Sequence, residues 1–182
     1  KFARRNEPTF RAVDISALLA NVQSLLQHES EEKVVKVELA LANSIPAIQA
    51  DPDLLQQVFF NLYQNSLQAM DQGGTIKIRA EVDGKEDPAS VKASEARLLR
   101  ITFEDTGRGI PAEHIERVFD PFFTTKDIGQ GTGLGLSVAY GIVKDHGGDI
   151  QVESEPGHFT RFVIRLPIGY PQGESERASL ER

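Results

Sequence analysis

Cysteine is absent from this sequence, which excludes disulfides, thiol nucleophiles and Cys-ligated zinc. The four histidines, His28, His114, His146 and His158, show none of the paired spacing that a zinc site needs. No apolar run approaches the roughly 20 residues that span a bilayer, and no signal peptide is visible. Basic residues are outnumbered, 20 Lys and Arg against 27 Asp and Glu, and the net charge of −7 argues against broad nucleic-acid or anionic-membrane binding. The common phosphate-loop spacings are missing as well. No Gly-x-x-x-x-Gly-Lys-Ser/Thr occurs. The glycines at 129, 131, 133 and 135 never complete Gly-x-Gly-x-x-Gly, because Leu134, Leu136 and Val138 hold the third position. P-loop, Rossmann and protein-kinase glycine loops are thus disfavoured.

What is present is an ordinary globular composition, 40% hydrophobic and 26% charged, in a chain of 182 residues that can bury one full core. Residues 10–15 alternate weakly, as a short strand would. Asp14 or Ser16 can then cap a helix that runs past His28, with Leu18, Leu19, Val22, Leu25 and Leu26 on its apolar face. Residues 34–41 and 47–50 read as strands around a turn at 43–46. Asp51-Pro52 is an N-cap followed by a first-turn proline, opening a helix that buries Leu55, Val58, Phe59, Leu62, Leu67 and Met70 and ends at Gly73-Gly74.

Ile76, Ile78, Ala80 and Val82 alternate with polar residues, and Leu99, Ile101 and Phe103 mark the returning strand. Residues 83–96 between them read as a long exposed hairpin loop. A short helix is expected near 112–118, and 119–133 is a long loop. Leu134, Val138 and Ile142, spaced by four, then predict a helix ending at His146-Gly147-Gly148, before two hairpin strands joined through Pro156-Gly157. Each strand has one apolar face, so the expected architecture is a two-layer α/β sandwich with three helices on one side of the sheet. The other face should be polar or meet another domain.

Four segments can carry chemistry. Gly129-Gln-Gly-Thr-Gly-Leu-Gly-Leu-Ser137 runs into a helix N-terminus, where free N–H groups and the helix dipole favour an anion. A flexible surface loop is the competing reading. Asn61 and Asn65 share a helix face; their amide oxygens suit Mg²⁺ that also binds phosphates, or they are simply solvated. Asp105-Thr-Gly-Arg-Gly109 follows a strand and can turn beneath a flat ligand, with Asp105 accepting from an exocyclic amine; a plain Asp-Gly turn is the alternative. The fourth is the loop Phe119-Asp-Pro-Phe-Phe-Thr-Thr-Lys126.

Taken in their order along the chain, the segments at Asn61/Asn65, Asp105–Gly109, Phe119–Lys126 and Gly129–Ser137 resemble the N, G1, F and G2 boxes of sensor histidine kinases, and the chain is similar to their catalytic ATP-binding domain over residues 10–167. The resemblance implies the Bergerat-type fold of the gyrase, Hsp90, histidine kinase and MutL superfamily, a mixed, mostly antiparallel sheet covered by three helices. It implies ATP and Mg²⁺ as cofactors. Asn65, with Asn61, would bind the metal; both, with Lys126, would form the catalytic set. Asp105 would take the adenine amine, with Gly107, Gly109 and Ile110 beside the ring. Phe122 and Lys126 would belong to an ATP lid over 119–135. N–H groups of Gly131, Thr132, Gly133, Leu134, Gly135 and Leu136 would cradle phosphates, and Thr160 would lie near the adenine. Without nucleotide, 126–132 should be the least ordered internal segment. One departure is Phe159, where the family often has the second glycine of Pro-Gly-x-Gly-Thr; a local change in that turn is expected.

The resemblance also implies transfer of the γ-phosphoryl group to a histidine on a helical hairpin outside this sequence, then to a response-regulator receiver domain. His28-Glu29 does not match the acceptor setting His-Glu-x-x-x-Pro, since Lys33 stands in the proline position. Residues 1–8 are expected to end that hairpin, 9–168 to form the catalytic domain, and 169–182 to be a disordered tail. The fragment itself should be monomeric, its parent a cytoplasmic homodimer either soluble or anchored in the inner membrane. Two other functions remain in view: a nucleotide-dependent interaction module without transfer, and a Ser-directed protein kinase of the superfamily.

Overall fold

The computed structural model describes residues 8–71, 73–83, 97–125 and 131–169. Of the expected hairpin loop at 83–96, all but Asp83 lies outside the described residues, as do the end segments at 1–7 and 170–182 and residues 126–130, on which most of the segment expected to be least ordered, 126–132, falls.

Strand β1 (Arg11–Val13) leads into α1 (Ile15–Leu25), with the Asp14 carboxylate accepting from the Ala17 N–H at 3.1 Å. The expected single helix is interrupted at Leu26, whose backbone leaves helical geometry, and a short α2 (Gln27–Glu32) follows. Leu26 is buried, whereas Leu25, expected on the apolar face, is 61% exposed because the chain turns there. His28 on α2 is exposed and pairs with Glu32 at 3.2 Å, so it is a surface residue.

Val34, expected to open a strand, instead precedes β2 (Val35–Leu41) with φ 56°, 79% exposed. A β-branched residue in the left-handed region is strained by about 1–2 kcal/mol. Val34→Asn, which tolerates that region, is expected to raise unfolding stability by about 0.5–1 kcal/mol. Urea denaturation checks this; an unchanged or lower midpoint would reject the strain.

Strand β3 (Ile48–Ala50) pairs antiparallel with β1 as a separate ribbon. Helix α3 (Pro52–Ala69) is capped as expected: Asp51 Oδ1 accepts from the N–H groups of Asp53 and Leu54 at 3.0 and 3.2 Å. The helix stops at Ala69, with Met70 extended, and Gly74 already belongs to β4 (Gly74–Asp83). Strand β5 (Leu98–Asp105), a short α4 (Ala112–Ile115), α5 (Gly135–Asp145), β6 (Asp149–Glu155) and β7 (Phe159–Pro167) complete the chain.

The main sheet has the order β2-β4-β5-β7-β6, parallel only between β2 and β4. Ile76, Ile78, Ala80, Leu99, Ile101, Phe103, Phe162 and Ile164 face the helices and are buried against Leu55, Phe59, Leu62 and Val143. Burial of this apolar area supplies the main driving force for the two-layer packing. On the other face Arg161 bridges Glu104 and Glu153 at 2.6 and 2.9 Å, and Arg100 pairs with Glu81 at 2.6 Å. At the β2 edge Lys36 pairs with Glu38 at 2.8 Å. That face is polar, as the alternation requires.

One buried histidine ties two helices to the chain entry. His146 Nδ1 lies 2.8 Å from the Ile142 carbonyl, and Nε2 accepts from the Asp51 N–H at 3.0 Å. The Phe10 ring packs on it with centroids 5.0 Å apart, and Asp51 Oδ2 accepts from the Thr9 N–H at 2.8 Å. The chain entry, the start of α3 and the end of α5 therefore meet at His146.

Candidate nucleotide-binding site

A cavity of about 380 Å³ opens between α3, the end of β5 and the start of α5. Its wall on α3 is a row of amides, Asn61, Gln64, Asn65 and Gln68, at spacings of three and four that place them on one helix face. Asn61 Nδ2 donates to the Gly135 carbonyl at 3.0 Å, fixing the start of α5 against α3 and leaving the amide oxygen available. Asn65 is half-buried, and its amide makes no hydrogen bond with any described residue. Among the described residues no cluster of three His, Cys, Asp or Glu could hold a metal alone. A cation here would need donors from a ligand besides the asparagine oxygens.

Asp105 closes one end. It is 2% exposed, its Oδ2 accepts from Ser66 Oγ at 2.8 Å, and its Oδ1 accepts from the Gly107 N–H at 3.0 Å. Burial pushes its carboxyl above the usual carboxylate range, against the Ser66 hydroxyl and the Gly107 and Thr160 amides, which favour the charged form. Gly107 lies behind this carboxylate rather than on the cavity wall. A Cβ there would stand 2.7 Å from the Ala69 carbonyl oxygen and 2.9 Å from Asp105 Oδ1, so only glycine permits this approach.

Thr160, opposite Asp105 in the β5–β7 register, is buried and lines the cavity. Ser154 Oγ donates to the Phe159 carbonyl at 2.7 Å and lies 3.1 Å from Thr160 Oγ1. The turn is made at Gly157, φ 79°, and Phe159 begins β7 with the Arg161 guanidinium 5.2 Å from its ring. The substitution at 159 therefore leaves Thr160 on the cavity wall.

The other end is the start of α5. No side chain among the described residues caps this helix, and Gly131, Thr132, Gly133, Gly135 and Leu136 line the cavity. Uncapped first-turn N–H groups with the helix dipole behind them make this end attractive to an anion. Leu134 is the N-cap residue, half-buried and outside the lining. The loop 119–125 is fastened to this end: the Phe122 N–H donates to the Gly133 carbonyl at 2.9 Å, and both residues have φ 65°. A Cβ on Gly133 would come within 2.5 Å of the Phe122 backbone. The Phe122 side chain is 74% exposed and does not line the cavity.

Asn61, Asn65, Asp105, Gly109, Ile110, Gly131, Thr132, Gly133, Gly135, Leu136 and Thr160 thus converge on one cavity. Lys126 lies outside the described residues. Arg108, Pro111, Phe123, Thr124 and Thr125, which also line the cavity, belong to the motif segments without having been singled out as site residues. Sequence reasoning missed Gln64, Gln68, Ala69, Val118 and Phe162 as lining residues. For the two glutamines a signal existed, since they continue the Asn61/Asn65 face at helical spacing. Val118 and Phe162 reach the cavity by tertiary packing.

Residues 50–170 match the family described as "Histidine kinase-, DNA gyrase B-, and HSP90-like ATPase", and the chain belongs to that family. It is 38% identical over 167 residues to the sensor histidine kinase ZraS of Escherichia coli K12, which covers 90% of this chain and 33% of ZraS. It is also 38% identical over 169 residues to the sensor kinase CckA of Brucella abortus, covering 91% of this chain and 18% of CckA. The chain therefore spans about a third or less of these relatives.

The catalytic domain of histidine kinase ThkA, nucleotide-free, aligns with a TM-score of 0.74 at 30% identity, covering 88% of this chain and 97% of that one. ShkA in complex with AMPPNP aligns with a TM-score of 0.75 at 26% identity, covering 90% and 32%. ThkA in complex with the response regulator TrrA aligns with a TM-score of 0.70 at 26% identity, covering 90% and 43%.

Proposed function

We propose that this chain is the ATP-binding catalytic domain of a sensor histidine kinase and transfers the γ-phosphoryl group of ATP to a histidine on a helical hairpin of its parent protein. One observation carries the reading: all four chemistry-bearing segments of the sequence contribute to the single cavity described above. The size is within the roughly 300–1,000 Å³ common for small-molecule sites. The polar groups are distributed as an adenine nucleotide requires, with a buried acceptor at one end and uncapped N–H groups at the other. Asp105 accepts from the adenine amine. The α5 N-terminus holds phosphate oxygens, and Asn61 and Asn65 are the residues whose amide oxygens would hold Mg²⁺ beside them. Mg²⁺ bound there supplies charge neutralisation, the main demand of phosphoryl transfer alongside positioning. Lys126 is the further cation assigned to the phosphates.

The hairpin, a homodimeric parent and a receiver-domain partner are part of this proposal; the ThkA–TrrA complex supports the last by similarity. A cytoplasmic setting, with the parent either soluble or anchored in the inner membrane, belongs to the same proposal. The test is to mix the chain with its hairpin and γ-labelled ATP and look for acid-labile label on histidine. Intact ATP binding with no labelled histidine would sink the kinase reading. Acid-stable label would point to a Ser-directed enzyme. Asn65→Ala is expected to remove mainly the Mg²⁺-dependent part of ATP affinity; an unchanged magnesium response in calorimetry would return Asn65 to a structural role.

A further inference from the structure

Of the described residues that line the cavity, only two carry formal charge, Asp105 and Arg108. The Asp105 carboxylate is buried and bonded. Arg108 is exposed at the rim, and its guanidinium makes no ion pair or hydrogen bond with any described residue, unlike Arg100, Arg117, Arg161 and Arg165. Its backbone is nonetheless bolted in place. The Arg108 N–H donates to the Ala69 carbonyl at 3.1 Å, and its carbonyl accepts from the Gly157 N–H at 2.7 Å.

This anchorage fixes which part of a ligand Arg108 can meet. Ala69 lies eight residues along α3 from Asn61, or about 12 Å at the helical rise. Asn61 marks the phosphate end through its bond to Gly135. Arg108 therefore stands at the Asp105 end, beyond easy reach of the α5 N-terminus. Resting on the nucleotide reading above, we propose that Arg108 is a specificity-determining residue whose guanidinium covers the face of the purine.

The need for such a residue follows from Asp105. A carboxylate placed to accept from the amine of adenine disfavours guanine and uracil, which present an oxygen at the matching position, but takes adenine and cytosine alike. A planar cation above the base discriminates between these two, because the larger purine face offers more stacking and cation–π area. Arg108 thereby completes the selection that Asp105 begins.

The test uses Arg108→Ala, with ATP and CTP each displacing a fluorescent ATP analogue in the presence of Mg²⁺. The expected result is an ATP affinity lower by about 3- to 30-fold, the range of a cation–π contact, and a smaller loss for CTP. The thermal midpoint should not move, since the side chain has no described partner. Equal losses for the two nucleotides would make Arg108 a phosphate contact and overturn the proposal. No loss for either would make it a solvated rim residue and overturn it too. Failure of the unaltered chain to bind the analogue would instead refute the nucleotide reading itself.

Discussion

Asp105→Asn is expected to weaken ATP binding by about 1–3 kcal/mol, roughly 5- to 150-fold, without lowering the thermal midpoint. The carboxamide is isosteric and can still accept from the Gly107 N–H, while Ser66 Oγ can turn to accept from the new NH₂. Binding suffers because an amide NH₂ then opposes the adenine amine, donor against donor. Stability does not suffer, because the carboxylate is costly where it is. Its folded-state pKa is raised by burial, so its favourable contribution is complete only below the unfolded-state pKa and is lost as pH rises through the folded value. At neutral pH the buried charge opposes folding, and Asn removes that cost.

The same shift predicts a pH profile. ATP affinity of the unaltered chain should fall as pH drops towards the raised pKa of Asp105, at higher pH than an ordinary carboxylate would give. The variant should lack this step. Calorimetric titrations across the acid range decide it, and identical profiles would remove Asp105 from the binding reaction.

His146→Leu is expected to cost about 2–3 kcal/mol of stability, a fall of about 4–12 °C in Tm for a domain of this size. Leucine fills much of the space but leaves the Asp51 N–H buried without its acceptor, and it removes the ring on which Phe10 packs. Glutamine, with both an acceptor and a donor, should recover part of the loss. A leucine variant as stable as the parent would show that the hydrogen bond contributes nothing. The position does not touch the cavity, so any accompanying change in ATP affinity reports on the seating of α3 and α5.

The sequence made the helices and strands legible where period and punctuation agreed. Asp51-Pro52 announced α3, and the alternation from Ile76 placed both the strand and its buried face. Errors fell where local pattern and tertiary demand part. Leu25 fits a helical apolar stripe, but the chain bends at Leu26 to seat α2, and the stripe turns outward. Val34 looks like the first residue of a strand, yet the turn into β2 requires a left-handed residue there.

The site was legible as motif residues because polar amides and glycines at fixed spacing have few purely structural uses in combination. Its walls were not. Phe162 is one of many apolar strand residues, and nothing local says that it ends against a ligand cavity. Phe122 shows the converse: a loop position that belongs to the motif can carry its side chain to solvent while its backbone holds Gly133.

Among the described residues the strand order β2-β4-β5-β7-β6 leaves β2 and β6 as edges, and each is a template on which a further strand could polymerise. Both carry charge. Lys36 and Glu38 sit on β2, and β6 exposes Gln151, Glu153 and Glu155. Antiparallel addition of a second β6 in register about Glu153 would set carboxylate against carboxylate, and addition along β2 would strip water from an ion pair. The charged alternation that keeps the outer face of the sheet wet therefore also guards its rims against amyloid-like growth.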